Sequence, residues 1–471
     1  MKAFLVKGFS LLLLITVLGI ATSLVHGVLQ DRLRYRDQAL SSVSRSLAGP
    51  QALAAGAMVI PYEERWTEQE SFTDTASGKL QQRSKPMSRE AEMIVLPETL
   101  DVSGQLDPDP RRRGLFRING YVFSGKLRGA LRLPEEATYP RAHSGSTVHP
   151  GVPRLVLALS NARGLQEASL KVDGQTLNLA PGTGLVGEPV GVSARLASAP
   201  AAGTQIRFEF DTRIGGARRL DILPLGGQTQ AHLVSNWPHP SFGGSFLPTR
   251  REIRSGGFDA DWQTSALASN TRDRWLASAR AAKESRPANT GFSNEDDSAL
   301  GWSDIDSFAV SLDDPIDIYS LSDRALKYSL LFIVLTLGIF ALNEVLGGLR
   351  LHPVQYLLVG LAMVVFFLLL LALSEHIGFS LAYLAGSLGC IGLIGFYVSS
   401  VLRSWQRGAG FTAVLALLYA ALYGILRSEQ NALMLGSLLL FLVLAAVMTL
   451  TRRIDWHALT GTSATRAAEA V

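Results

Sequence analysis

The side chains best suited to chemistry gather in three short stretches. In Ser235-Asn-Trp-Pro-His-Pro-Ser-Phe-Gly-Gly-Ser-Phe-Leu-Pro248, prolines and glycines surround Trp237, His239, Phe242 and Phe246. Proline fixes φ and glycine permits tight turns, so this is a rigid aromatic loop rather than a linker. Its aromatic faces suit a glycan or a peptide, and an imidazole such as His239 is the commonest general acid or base. The same residues suit a buried corner that locks two sheets together, which is the plainer reading of a lone histidine among prolines and aromatics. The second stretch is Glu375-His376, in a brief loop between two apolar segments. A carboxylate and an imidazole at a membrane rim could act together or hold a lipid headgroup. Adjacent residues on a helix point about 100° apart, however, so the pair need not converge and a polar turn is plainer. Ser374 beside them completes no triad. The third stretch is Leu321–Tyr328, where Asp323, Arg324 and Lys327 would meet headgroups or clamp a soluble domain to the membrane, anchoring being the favoured role.

Other chemistry is poorly supported. His232 and His239 are seven apart across a strand end, with no closely spaced Cys, His or carboxylate set beside them, so no metal is expected. The one cysteine, Cys390, lies in an apolar segment, which leaves the polar part of the chain without disulfide or thiolate chemistry. G-x-S-x-G, H-E-x-x-H and P-loop patterns are missing, and Pro181-Gly-Thr-Gly184 reads as a turn. No cofactor is implied. A net charge of +4 spread along the chain gives no nucleic-acid signature, and Arg111–Arg113 read as a solvated, proline-flanked turn.

The elements that must position these residues follow from the apolar pattern. Apolar segments run over Phe9–Leu29, Tyr328–Leu346, Val354–Leu373, Ile377–Leu402, Phe411–Leu426 and Ala432–Leu450. About 20 apolar residues cross a bilayer core as helix, and a soluble core has no use for six such stretches. The expectation is an α-helical polytopic membrane protein with six transmembrane helices. A large, mainly-β, sandwich-like extracytoplasmic domain is inserted between helices 1 and 2. The first segment, after Lys2 and Lys7, is too long for a cleaved signal and reads as a signal anchor over residues 1–29. An amphipathic helical connector follows over 30–50, ended by Gly49-Pro50. The β-domain is expected over 51–323, a five-helix bundle over 324–450 and a cytoplasmic tail over 451–471. With the N-terminus inside, Lys2, Lys7, Arg350, Arg403, Arg407, Arg452, Arg453 and Arg466 are cytoplasmic and only Arg427 falls in a short outer loop. That asymmetry favours both termini inside and the large domain in the periplasm, against the dissent of Arg32, Arg34, Arg36, Arg324 and Lys327.

Within the insert, alternation predicts strands at Tyr121–Leu133, Arg154–Ser160, Ala168–Val172, Gln175–Leu179, Gln205–Phe210, Arg219–Leu223, Thr229–Ser235 and Phe258–Thr264. Val172-Asp-Gly-Gln175 is a hairpin signal. The polar stretch 265–306 reads as a surface excursion or mobile loop, helical in part between Arg272 and Lys283. In the membrane part, His26, Glu344, Glu375, His376 and Arg427 fall at segment ends, which disfavours proton-coupled transport. Gly386, Gly389, Gly392 and Gly395 recur every third residue and would let helices pack closely, within the chain or between copies.

Several strings match a known family. Gly49-Pro50-Gln51, Ser235–Pro248, Leu321–Tyr328, Leu351–Gly360, Leu371–His376 and Arg453–Trp456, in this order along the same membrane layout, resemble the signature segments of the CreD family of bacterial inner-membrane proteins. The resemblance implies a role in cell-envelope integrity under control of a two-component system, and supplies no catalytic residues. Two functional classes follow. One is a non-enzymatic protein acting through contacts with the lipid bilayer, envelope proteins or cell-wall glycan. The other is an envelope enzyme or lipid/glycan-binding protein whose site combines the Trp237–Phe246 loop with the Ser374–Ile377 rim.

Overall fold

The computed structural model describes residues 2–73, 80–113, 116–280, 302, 305–312, 318–347, 351–402, 404–428 and 431–452. Glu295-Asp296-Asp297, Arg350, Arg403, Arg466 and the Arg453–Trp456 string lie outside them. The chain forms two compact units, Met1–Asp37 with Ile316–Val471, and Gln38–Pro315. Helix α1 (Lys2–Leu47) is continuous, so anchor and connector are one element. It ends where Ala48 and Gly49 adopt positive φ (71° and 64°) ahead of Pro50.

The β-unit has seventeen strands in the described residues: β1 (Gln51–Thr73), β2 (Leu80–Val95), β3 (Thr99–Arg113), β4 (Phe116–Arg132), β5 (Thr147–Pro150) and β6 (Arg154–Leu159) come first. Then come β7 (Leu165–Val172), β8 (Gln175–Leu177), β9 (Ala180–Pro181), β10 (Gly191–Arg195), β11 (Gln205–Ala217) and β12 (Arg219–Ile222). The last are β13 (Gln228–Ser235), β14 (Ser241–Gly244), β15 (Arg250–Arg254), β16 (Gly257–Ser265) and β17 (Phe308–Ser311), with helix α2 (Thr271–Arg280) between β16 and β17. They make two sheets. The first has the order β14-β17-β12-β1-β6-β10-β9, with β2 and β5 also on β1; the second has the order β15-β16-β13-β3-β4-β11-β7-β8.

Alternation explains how the sheets meet. Along β11, Ile206, Phe208, Phe210 and Ile214 are buried while Gln205, Arg207, Asp211 and Arg213 are exposed, because successive side chains leave opposite faces. Leu53, Met58 and Ile60 of the first sheet thus share one core with Phe123, Leu127, Phe210 and Trp262 of the second. Each such fully buried side chain contributes roughly 1.5–3 kcal/mol. The arrangement is a sandwich. The first sheet is covered on its other face too: Trp275 and Ala279 of α2, with Trp302 and Ile305, close over Ala52, Ala54, Val59, Val156 and Ala158. Burial on both faces is why β1 begins with, and β6 keeps, an unbroken apolar run. In β1 a bulge between Ala55 and Ala57 places Gly56 at φ +84°, where a Cβ would fall on the Phe208 ring.

All eight expected strands are present, and Asp173-Gly174 turns with φ of 47° and 84°, the positive pair of a two-residue hairpin. One expectation in this unit needs correction. Arg111 and Arg112 lie in β3, not in a turn, because β3 beyond Gln105 has only β4 beside it, and an edge accepts Pro108 and Pro110. Within 265–306 a helix is present where one was expected, α2, and it buries Trp275 completely. The compact units divide at Pro315, and the next helix starts at Ile318.

The other unit holds α1 up to Asp37 with α3 (Ile318–Gly347), α4 (Pro353–Ile377), α5 (Phe379–Val401), α6 (Trp405–Arg427) and α7 (Ala432–Thr451). Five helices among the described residues, α1 and α3–α6, are long and apolar enough to span a bilayer, not six. In α7 the described apolar stretch, Met434–Thr449, is shorter than that requirement. The α6 helix is longer than expected, because Ser404 caps it by accepting the Arg407 N–H at 3.4 Å. Glu375 and His376 are the last turn of α4, not a loop. Gly378 at φ +79° caps both α4 and α5, so the connection shrinks to one residue.

Candidate functional site

Helical spacing builds a charged cluster within the helical unit. On α1, Arg32 and Arg36 are one turn apart; on α3, Tyr319, Asp323 and Lys327 repeat every fourth residue; Glu375 closes α4. The Tyr319 hydroxyl donates to Glu375 Oε1 at 3.1 Å, and Arg32 Nε lies 3.7 Å from the same oxygen. The Arg36 guanidinium sits 5.4 Å above the Tyr319 ring. The Glu375 side chain is only 7% exposed, so its charge relies on these partners. Beside it, Lys327 Nζ is 2.6 Å from Asp323 Oδ2, and His26 Nδ1 is 3.9 Å from Asp323 Oδ1. Arg324 is half-buried and engaged. The cluster ties α1, α3 and α4 together at one end. At the opposite end of α3 and α4, buried Glu344 accepts the Tyr356 hydroxyl at 2.6 Å and the Leu351 N–H at 3.0 Å.

Among the residues singled out by sequence, the structure brings Asp323 and Lys327 into contact and holds Glu375 through Tyr319 of α3 and Arg32 of α1. It does not join Glu375 to His376. That imidazole is exposed, with Nδ1 3.1 Å from the Ala372 carbonyl one turn back. The aromatic loop belongs to the core of the β-unit. The Trp237 Nε1–H donates to the His239 carbonyl at 2.9 Å; Phe242 meets Phe258 and Trp262 edge-on at 5.5 and 5.6 Å; Phe246 meets Phe308 at 5.9 Å. The His239 ring is left exposed. The glycines divide in two. Gly386 faces Phe366 and Gly395 faces Thr412, whereas Gly389 and Gly392 have open space beside them.

Two features escaped the sequence reading. Glu64 in β1 is buried, and its carboxylate accepts the N–H groups of His143 and Ala142 and the Ser146 hydroxyl at 2.7–3.1 Å. Those bonds, from His143 first and Ser146 next, hold its pKa down to about 2. It pins the segment before β5. On the outward face of the second sheet, His232 of β13 gathers with Asp259 and Asp261 of β16, all three ligating atoms within 4.8 Å of one another. The expectation of no metal set looked only for short spacing, and strand pairing brings these carboxylates in from another part of the chain. On the same sheet face lies an open cleft of about 840 Å³, lined among others by Asp101, Arg128, Lys171, Glu209, Gln228 and Gln230.

An apolar helical bundle combined with a β-sandwich defines a polytopic membrane protein with a large folded β-unit. The sequence matches the family described as "Inner membrane protein CreD" over residues 3–457. It is 35% identical over 456 residues to the inner membrane protein CreD of Escherichia coli (strain K12), covering 96% of this chain and 92% of that one. The chain belongs to the CreD family of inner membrane proteins. Among solved structures, an M1 zinc metallopeptidase from Deinococcus radiodurans is 12% identical at a TM-score of 0.22, over 36% of this chain and 38% of that one. A mutant of it bound to a Tyr-Ser-Ala substrate gives the same TM-score with 36% and 39% covered. At that score the likeness carries no argument for fold or activity.

Proposed function

We propose that this protein supports cell-envelope integrity without catalysing a reaction, presenting its β-unit in the periplasm from a bundle with both termini in the cytoplasm. The observation that carries this reading is the Arg32–Glu375–Tyr319 cluster, in which Glu375, the most reactive-looking carboxylate of the membrane part, is bound on two sides by its own chain. A carboxylate so occupied holds helices together rather than awaiting a substrate. Asp323 and Lys327 are paired beside it, and the aromatic loop is committed to core packing. In this reading α7 is a sixth span, and the charge asymmetry of the loops supports the orientation. Cells with an envelope-stress defect would be complemented with His239→Ala, Glu375→Ala and His376→Ala variants while the membrane abundance of each is measured. Activity should follow abundance in all three. Loss of activity by His376→Ala or His239→Ala at normal abundance would sink the reading.

A second reading is favoured by the cleft on the second sheet. Its volume is in the range of small-ligand sites, and its lining of paired charges and amides suits a polar ligand such as a cell-wall glycan. Replacing Gln230 and Arg128 by alanine would then abolish retention of the protein on isolated cell-wall glycan. Unchanged retention, or none in the parent protein, would remove it.

A further inference from the structure

We propose that the outward face of the second sheet holds a divalent transition metal of the zinc class at His232, Asp259 and Asp261. His232 Nδ1 lies 2.7 Å from Asp261 Oδ1 and 3.7 Å from Asp259 Oδ1. Neighbouring ligands around a tetrahedral ion with bonds of about 2.0–2.2 Å stand roughly 3.3–3.6 Å apart. Side chains that are 36–50% exposed would admit the ion by opening the 2.7 Å contact by roughly 0.6–0.9 Å and drawing in any of the ligating atoms, all within 4.8 Å of one another, that stand wider than this spacing.

The backbone is suited to holding such a site. Asp259 and Asp261 are alternate residues of β16, so both point outward, while Ala260 and Trp262 anchor the strand in the core. His232 is registered directly opposite Asp261 on β13, between the buried Ala231 and Leu233. Ligands fixed on paired strands are positioned more tightly than ligands on loops. Charge points the same way. Two carboxylates converge on one imidazole nitrogen and repel each other, while Arg250, registered opposite Asp261 and bound to Glu252 at 2.7 Å, also acts on both electrostatically. A divalent cation would relieve that repulsion. One imidazole with two carboxylates selects for zinc and its neighbours over calcium or magnesium, which favour oxygen throughout.

A second observation concerns the fourth position. Three protein ligands leave a zinc-class ion with an open site, and the cleft lies on the same face. Gln228 and Gln230, which line it, precede His232 along the same face of β13. That fourth position would take water or a polar ligand.

Zn²⁺ would be titrated calorimetrically into the full-length chain in detergent, with no polyhistidine tag, at neutral pH. Thermal unfolding would be followed with and without the ion. One saturable site per chain is expected, lost in His232→Ala and weakened at least tenfold in Asp259→Asn and Asp261→Asn, with an ion-dependent rise in melting temperature only in the parent. Co²⁺ should give visible d–d absorption that the His232→Ala variant lacks. All three residues are outward-facing, so matching metal-free melting temperatures will show that the variants fold. Failure of the parent to bind Zn²⁺ saturably, or equal binding by the folded His232→Ala variant, would overturn the proposal and leave a plain cross-strand ion pair.

Discussion

The two units place their apolar residues on opposite sides. In the β-unit Phe210, Phe123 and Trp262 are sealed between sheets, and charges such as Arg207 and Asp211 face outward. In the helical unit Phe396, Leu388 and Leu417 are more than 60% exposed, while buried polar groups such as Glu375 and Glu344 are matched within the bundle. The first pattern suits water and the second suits lipid, where unmatched polar groups are costly. The same contrast governs how buried carboxylates are held. Glu64 is satisfied by backbone N–H groups and a hydroxyl, whereas Glu375 depends on side chains from two other helices.

The sharpest way to break this comparison is to truncate one large aromatic in each unit. Trp262→Ala should destabilise the β-unit by about 3–5 kcal/mol, because the side chain is fully buried. Phe396→Ala on the lipid side should change stability by less than about 0.5 kcal/mol in a bilayer. Thermal unfolding in nanodiscs reads both, and equal effects would defeat the inside-out assignment. Next in size, Glu375→Ala should lower stability of the helical unit by about 1–3 kcal/mol by stripping Tyr319 of its acceptor, with His376→Ala near zero. Proteolysis of membrane-embedded protein would expose the difference, and equal sensitivity would mean that the cluster holds nothing.

The glycines sharpen the comparison further. Gly395→Leu should cost about 1–3 kcal/mol by overpacking against Thr412, and Gly392→Leu should be tolerated. Comparable losses at both positions would place a partner helix over Gly392. The smallest effect is a pH dependence. Glu64 has its carboxyl lowered from 4.5 to about 2, so its contribution is complete above about pH 4.5 and is lost as pH falls towards 2. Hydrogen exchange at Ala142 and His143 should accelerate over that window in the parent. Glu64→Gln should remove the pH response, and a parent profile flat between pH 5 and 2 would contradict the assignment.

Much of this architecture was legible in the residues, for identifiable reasons. Strands with one wet face announce themselves by alternation, as β11 and β13 do, and the long apolar helices by length. What escaped notice depends on partners distant in sequence. Glu64 looks like any surface residue of a polar run until Ala142, His143 and Ser146 converge on it. Trp275 sits in a hydrophilic stretch whose only apolar service is to cap a sheet. Glu375 looks like a loop residue in the sequence because one glycine, Gly378, does the turning that usually takes several residues. Asp259 and Asp261 reach His232 only through strand register. For the aromatic loop the buried corner is the plainer of its two roles, and the packing of Phe242 and Phe246 favours it.

The place of β1 in its sheet bears on biosynthesis. This strand emerges directly after the first helix, yet its parallel partner is β12, with Gln51 opposite Leu220, and β12 in turn is bordered by β17 at Phe308–Ser311. Contacts so distant along the chain are slow to form. On the ribosome, the sandwich cannot close until residue 311 has been made and α3 is next in line for the membrane. Completion of the β-unit and insertion of the bundle are therefore nearly simultaneous events, and a chain truncated before β17 would carry an open β12 edge ready to pair with another molecule.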